Sequence, residues 1–431
     1  MRAYMMNWKR YKLTFLFLLA SFVVSAQQYD TIKVSVDFLL KLAINQNLSI
    51  KSDKFAINIA QNKKEIAKHA QYPDIKAIVE TGGEGNSLSP HSYLSQSYDL
   101  RITQPIYHGG KIGVSLKSAQ IEKNIVELQC RQHEDNIKLS LLEKYYKLIC
   151  EYAKKEIWIR NILQSRRMLG DIRNLKTEGI VTNNDVLRAE LHLMNDSLHL
   201  NTVLNSIAII SYELNLMTGL EDNLIIQPDL NVWETPLPKL KDYDEYLNIA
   251  FLNNPSICVF DNMVKANKCK VRIAKADNLP EIDFIGENRF GRPFSGFGFD
   301  RFNNHWSLGV SVSIPVSSIY KSRGNIRKAL NELYSSELSV KVNKQEIQLK
   351  VKDAHVRHID AVNRLKTIEL AIKQADENYR IMKNRYLNQL AILTDLLDAD
   401  ALCLDTRFKW ISAKVEAIIT YYELKQLCGE L

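Results

Sequence analysis

The sequence predicts a mainly α-helical chain that also carries four strands of a transmembrane β-barrel. Three observations lead to this prediction. The second half of the chain repeats the first at an offset of 207 to 210 residues, stretches of up to 104 residues contain no glycine or proline, and four short runs alternate apolar with polar residues. Long uninterrupted stretches are typical of helices, whereas alternation with a period of two is typical of strands.

Composition narrows the class of protein. The 431 residues include 16 glycines and 10 prolines, about half the usual share, so turns are scarce and the elements are long. A hydrophobic fraction of 46% and a charged fraction of 25% exclude both a disordered tail and a bundle of transmembrane helices. The net charge is +8, and half of it comes from the first 26 residues. The remainder is too weak to favour nucleic acid as a partner.

Residues 1–26 have the features of a cleaved signal peptide. Lys9, Arg10 and Lys12 precede an apolar stretch at residues 13–24, and the small residues Ser25 and Ala26 follow it. A stretch of twelve residues is too short to span a bilayer comfortably, although an uncleaved anchor is the alternative. We therefore expect export.

The repeat defines the domain organisation that we predict. Residues 42–50 match residues 249–257, and residues 185–187 match residues 395–397. We assign the first repeat to residues 27–226, a proline-containing linker to 227–241, and the second repeat to 242–431. Each repeat has two helices, a β-hairpin (74–106 and 281–314) and long antiparallel coiled-coil helices (110–219 and 321–428). The long helices should reverse near residues 178–179 and 388–391, because one helix of 104 residues would be about 156 Å long.

The strand-like runs indicate a membrane sheet rather than a half-buried soluble one. One run places a continuous apolar set on one face and serine or glycine on the other; the apolar set is Trp306, Leu308, Val310, Val312 and Ile314. Segments of nine to eleven residues suit a transmembrane strand. We expect these five side chains to face outer-membrane lipid and the loop at residues 291–304 to be extracellular.

Four strands cannot close a barrel alone. The smallest known transmembrane barrels have eight strands, and open sheet edges do not face lipid. Two, three or four chains would supply 8, 12 or 16 strands, so we expect a symmetric oligomer in which the helices also close into an α-barrel. A solitary coiled-coil rod would explain the helices but not the strands.

At this point the chain resembles the TolC family of outer-membrane efflux factors. The resemblance covers essentially the whole mature chain and rests on the tandem repeat and two motifs. Residues 103–110 read Thr-Gln-Pro-Ile-Tyr-His-Gly-Gly, and residues 395–399 read Asp-Leu-Leu-Asp-Ala. The resemblance implies a homotrimer with a 12-stranded β-barrel. It also implies an exit duct for solutes that works with a periplasmic adaptor protein and an inner-membrane transporter and catalyses nothing.

The resemblance also implies a gate. Tyr386 matches a tyrosine that helps to close the tunnel end, and Asp395 and Asp398 match aspartates that ring the constriction. These two acids are three residues apart and share a helical face; two solvated acids near a helix start are the alternative. The chain departs from the family where Ala391 replaces an arginine and Gln389 replaces a glycine.

The other motifs in the sequence give little support for a catalytic or metal-binding site. The pattern S-x-x-K at Ser318 and Lys321 lies at a predicted strand-to-helix junction, where catalysis is not expected. We expect four histidines (His192, His199, His355 and His358) to be solvated or packed. Six irregularly spaced cysteines without a C-x-x-C motif predict no metal site and no disulfide framework, and we expect no cofactor. Rival functions are the exit duct of a type I protein secretion system and, more remotely, a periplasmic coiled-coil adaptor without a pore.

Overall fold

The computed structural model describes residues 30–86, 89–230, 239–292 and 302–431. The signal peptide at residues 1–26, residues 231–238 of the linker and residues 293–301 of the expected extracellular loop lie outside the described residues. The described chain forms eight helices and six strands. The helices are α1 (Val36–Gln46), α2 (Leu48–His69), α3 (Lys111–Thr177), α4 (Asn183–Thr218), α5 (Tyr243–Asn253), α6 (Pro255–Ala276), α7 (Ser318–Leu387) and α8 (Leu393–Leu427). The strands are β1 (Asp30–Val34), β2 (Asp74–Asn86), β3 (Ser89–His108), β4 (Leu224–Pro228), β5 (Glu281–Arg292) and β6 (Asn303–Ser313).

The chain divides into two compact units, and each unit combines segments from both halves of the sequence. The first unit comprises Met1–Ala43, Leu141–Pro236 and Ile368–Val415. The second comprises Ile44–Ser140, Leu237–Thr367 and Glu416–Leu431. The predicted fold class, long helices with a four-stranded sheet contributed by both halves, is confirmed.

The four-stranded sheet belongs to the second unit. Its strands are antiparallel and lie in the order β2-β3-β5-β6, so the two predicted strand pairs meet at β3 and β5. At that junction Asp99 pairs with Arg289 and Leu100 with Asn288. The outer strands β2 and β6 each have one neighbour, which leaves a free edge on either side of the sheet.

The second unit also has a helical core. It brings α5 and α6 together with α7 and the end of α8, and its buried members are Tyr246, Ala250, Ile257, Ile347, Val351, Ala354, Leu424 and Cys428. Asn254 joins these elements by two hydrogen bonds. Its side chain caps α6 by accepting from Ser256 N at 2.9 Å, and its Nδ2 donates to Leu427 O at 2.8 Å.

The first unit contains a two-stranded parallel sheet that the sequence reading did not predict. Strand β1 pairs with β4, with Ile32 opposite Ile226. Tyr145 fastens the pair from α3, because its hydroxyl donates to Val34 O at 3.2 Å and accepts from Asp229 N at 3.1 Å. Strand β4 ends at Pro228, two residues inside the segment that composition marked as a linker.

Both long helical stretches reverse where the repeat predicts. Helix α3 ends at Thr177 and α4 begins at Asn183, while α7 ends at Leu387 and α8 begins at Leu393. Helix α4 leaves an exposed apolar row at heptad spacing, formed by Leu187, Leu191, Met194 and Leu198. Such a row is typical of a coiled-coil seam. In the described part of the chain, the helices lack a segment long and apolar enough to cross a membrane.

Candidate functional site

The two reversals of the first unit share a backbone geometry but differ in the residue that adopts it. In the first half Gly179 has φ +77°, and Ile180 N donates to Leu175 O at 2.9 Å. In the second half Gln389 has φ +58°, and Leu390 N donates to Arg385 O at 2.8 Å. A side chain in this left-handed region costs about 1–2 kcal/mol, so the second reversal is the more strained.

The helix starts after the reversals also differ. At the start of α4, Thr182 and Asp185 form a capping box: Asp185 N donates to Thr182 Oγ1 at 3.3 Å, and Thr182 N donates to Asp185 Oδ2 at 2.9 Å. The Thr182 hydroxyl also donates to Asp185 Oδ2 at 2.7 Å, and this hydrogen bond, together with the one from Thr182 N, holds the pKa of Asp185 below its usual range. The position equivalent to Thr182 is Ile392 in the second half, which offers no hydroxyl. Asp395 is therefore not held in an equivalent box.

Asp395 and Asp398 lie on the exposed face of the first turns of α8, as their spacing predicts. Between them Leu396 is buried, and Leu393 before them is buried as well. Among the described residues neither aspartate has an ion-pair partner. Two carboxylates on one exposed face are thus available to surroundings outside the single chain.

Tyr386, the third predicted gate residue, packs at the end of α7. It contacts a cluster whose buried members are Leu169, Ile172, Val186, Ala189 and Leu393. Its hydroxyl is buried and has no hydrogen-bond partner in the described part of the chain. Burial raises the pKa of Tyr386, and the nearby carboxylates of Asp185 and Asp171 raise it further. The phenol is therefore neutral at physiological pH.

Arg188 makes a direct polar contact between the two helix starts, and sequence reasoning did not identify it. Its Nη1 donates to Thr394 Oγ1 at 2.6 Å, which links α4 to α8 beside Asp395. In the repeat Arg188 occupies the position of Asp398, so the first half places a cation where the second half places an acid. The sequence shows this exchange of an acid for a cation, but it does not show that Arg188 contacts Thr394.

Two cavities lie against Tyr386 within the first unit. One, of about 400 Å³, is lined by residues of α3 and α7 that include Arg160, Arg167, Tyr379 and Lys383. The other, of about 250 Å³, lies inside the reversals and is lined by Thr182, Asp185, Gln389 and Ala391, among others. Tyr386 contributes to the lining of both cavities.

The sheet of the second unit has two chemically different faces. On one face the five residues proposed to meet lipid are all exposed, from 60% for Val312 to 67% for Trp306. Ile314 among them lies one residue beyond β6. On the opposite face Arg289 binds Asp99 through two hydrogen bonds of 2.8 and 2.9 Å. Arg101 pairs with Glu287 at 3.2 Å on the same face.

The remaining candidates lie outside these features. Ser318 and Lys321 lie at the start of α7. His355 and His358 are buried, and burial lowers the pKa of His358. Within the described residues no cluster of three or more His, Cys, Asp or Glu side chains is arranged to hold a metal ion.

His192 is partly buried, whereas His199 is exposed. His199 stacks on Trp158 with ring centroids 4.8 Å apart. His192 lies between two buried carboxylates, Asp196 and Asp400. Sequence reasoning missed this cluster. Its one sequence signal is the four-residue spacing of His192 and Asp196, which places both side chains on one face of α4.

Solved outer-membrane proteins share this fold. The VceC protein of Vibrio cholerae superposes with a TM-score of 0.77 at 17% identity, over 91% of this chain and 96% of VceC. The CmeC channel of Campylobacter jejuni has a TM-score of 0.77 at 14% identity, over 92% of this chain and 85% of CmeC. CusC has a TM-score of 0.82 at 14% identity, over 91% and 92% of the two chains.

Sequence comparison is consistent with this similarity. No curated protein sequence matches the chain. The sequence model of the outer membrane efflux protein family matches residues 39–220 and 246–430, which together include both halves of the repeat. The chain therefore belongs to the outer membrane efflux protein family.

Proposed function

We propose that this protein is the outer-membrane exit duct of a tripartite efflux pump, passing solutes from the periplasm to the exterior. The observation that carries the proposal is the four-stranded sheet, with one exposed apolar face, one ion-paired polar face and two free edges. Family membership supports the same reading. The chain acts as a conduit and carries out no reaction.

The free edges argue for a closed oligomer, and the resemblance to the TolC family implies that this oligomer is a homotrimer. Strand edges facing lipid would leave backbone groups without hydrogen bonds, so β2 of one chain must pair with β6 of another. Three chains give 12 strands, within the range of known barrels. The exposed heptad row on α4 supports the same assembly, because a coiled-coil seam needs a partner helix.

The two faces of the sheet then have distinct surroundings. Val310 and its neighbours face lipid, and the ion pairs of Asp99 with Arg289 and Arg101 with Glu287 face the water-filled lumen. Pairing between β3 and β5 leaves these charges compensated within each chain. These two ion pairs therefore add no net charge to the lumen.

Selectivity is assigned instead to the helical end. Asp395 and Asp398 of three chains would form a ring of six carboxylates at the narrowest point of the periplasmic tunnel, and such rings select cations. Tyr386 packs behind this ring and holds α7 against α3 and α4. With Ala391 in place of an arginine, the contact of Arg188 with Thr394 is the polar link available between the helix starts.

The partners follow from this role. The protein is exported by a signal peptide at residues 1–26 that is cleaved. It is inserted in the outer membrane and joined to an inner-membrane transporter by a periplasmic adaptor protein. The transporter, rather than this chain, chooses the cargo, so purification of the intact protein from membranes with its bound transporter distinguishes an efflux pump from a type I secretion system.

Conductance in planar lipid bilayers tests the proposal. We expect discrete channels and a barrel whose gel migration shifts on heating. Purified folded protein that inserts into bilayers without conducting would contradict the duct and favour an adaptor without a pore.

A further inference from the structure

A buried polar cluster in the first unit is not used by the proposed duct or its gate. It consists of His192 and Asp196 on α4 and Asp400 on α8. His192 Nε2 lies 3.3 Å from Asp400 Oδ2 and 3.7 Å from Asp196 Oδ2. The side chains are 18%, 4% and 8% exposed for His192, Asp196 and Asp400. Two carboxylates and one imidazole therefore share a site almost closed to water.

Neutral groups of α3 hold the two carboxylates in place. Asp196 Oδ2 accepts from Ser165 Oγ at 2.7 Å and from Asn161 Nδ2 at 3.1 Å. Gln164 Nε2 donates to Asp400 Oδ1 at 3.4 Å and also contacts the hydroxyl of Tyr379 on α7. These hydrogen bonds fix the carboxylates in position but supply no positive charge.

The other titratable groups near the cluster leave His192 as its main source of positive charge. On α4, His199 acts on Asp196 from a greater distance while stacked on Trp158. On α8, Arg407 is already bound to Asp376 of α7 at 2.8 Å. Cys403 of α8 contacts the same Asp376. Tyr379 has its pKa raised to about 12, first by burial and then by Asp400, so it stays neutral.

Protonation of His192 therefore decides the charge balance of the cluster. With an imidazolium, one cation lies between two carboxylates; with a neutral imidazole, two carboxylates repel each other in a buried site. We propose that His192, Asp196 and Asp400 form a proton-operated latch between α4 and α8, closed when His192 is charged and loosened when it is neutral.

The direction of the pH response follows from the same contacts. The hydrogen bond to Asp400, followed by the charges of Asp196 and Asp400, raises the pKa of His192 above its ordinary 6.5. A group whose folded-state pKa is raised stabilises the fold fully below its unfolded value and loses that effect as pH rises through the folded value. Burial also raises the pKa of Asp196, which acts in the same direction. Acid tightens the latch, and alkaline pH loosens it.

The latch joins helices that follow the two reversals. Asp400 lies two residues after Asp398, and His192 lies four residues after Arg188. Loosening it would free α4 and α8 to separate behind the proposed carboxylate ring. Any effect of this separation on conductance rests on the proposed function, whereas the latch itself does not.

Hydrogen exchange of the full-length protein in detergent, measured by mass spectrometry and corrected for the intrinsic effect of pH, tests the latch directly. Between pH 6 and pH 9 we expect local opening of residues 186–200 to increase at least about tenfold in the wild type, as expected when a hydrogen bond to a charged group is lost between His192 and Asp400. In His192→Gln it should change less than about threefold and already resemble the wild type at pH 9. The exposed His69→Gln is the matched control and should keep the wild-type response.

Two results would overturn the latch: the same pH response in His192→Gln as in the wild type, or no response in the wild type. If His192→Gln fails to fold, Asp400→Asn replaces it, because it leaves one carboxylate opposite one imidazole; we expect at most half of the wild-type response on a logarithmic scale. Conductance recorded over the same pH range then tests separately whether the latch controls opening of the channel. A channel whose opening ignores pH while exchange responds would retain the latch and refute its link to gating.

Discussion

Placing an arginine at Val310 should prevent assembly of the barrel. Val310 lies at the midpoint of the exposed apolar row that runs from Trp306 to Ile314, about 13 Å along the strand from each end. It would therefore lie near the bilayer midplane, where an arginine costs about 2–4 kcal/mol. That cost lowers the assembly equilibrium by about 30- to 700-fold for each chain. Three chains carry the change together, so the loss is compounded.

Ser311→Arg is the matched control because it introduces the same charge one residue along. Ser311 pairs with Asp283 across the sheet, on the polar face. The new guanidinium would lie in the aqueous lumen near a carboxylate. We expect outer-membrane yield and heat-shifted gel migration close to the wild type for Ser311→Arg, and little folded barrel for Val310→Arg. Equal yields of the two variants would refute the assignment of this face to lipid.

Three further predictions concern the reversal and the proposed ring. Replacing both Asp395 and Asp398 with asparagine should lower cation selectivity and weaken block by a trivalent cation from the periplasmic side; unchanged single-channel records would place the ring elsewhere. Tyr386→Phe should change resting conductance only modestly, because its hydroxyl makes no hydrogen bond in the described residues; a constitutively open channel would contradict this. Gln389→Gly should stabilise the helical region by about 0.5–1 kcal/mol, the left-handed strain relieved less the entropy of glycine; a lower urea midpoint in circular dichroism would refute it.

Much of the fold was predictable because its signals are local. The alternation from Trp306 to Ile314 can be recognised without knowledge of the partner strand. The repeat predicts a reversal at Gln389 from the reversal at Gly179, although the residue differs. The pair of β1 and β4 was not predictable in this way. Each strand has five residues, and they pair across a separation of 194 positions, as Asp30 with Leu224. Their register depends on Tyr145, which no pattern within either strand reveals.

The candidate site was predictable only where it depends on helical spacing. Asp395 and Asp398 are three residues apart, which is enough to place both on one face. The contact of Arg188 with Thr394 and that of His192 with Asp400 each join helices more than 200 positions apart. Such contacts depend on how α4 packs against α8. The periodicity of the sequence predicts which face of each helix is buried, but it does not predict which residue of the other helix lies opposite.

Native mass spectrometry of the protein, extracted from the outer membrane in mild detergent, shows whether the four strands of each chain close into a barrel shared between chains. We expect a complex of three chains that persists until the shared barrel is unfolded by heat. A stable folded monomer that retains its sheet would contradict it, because β2 and β6 would then have free edges in lipid.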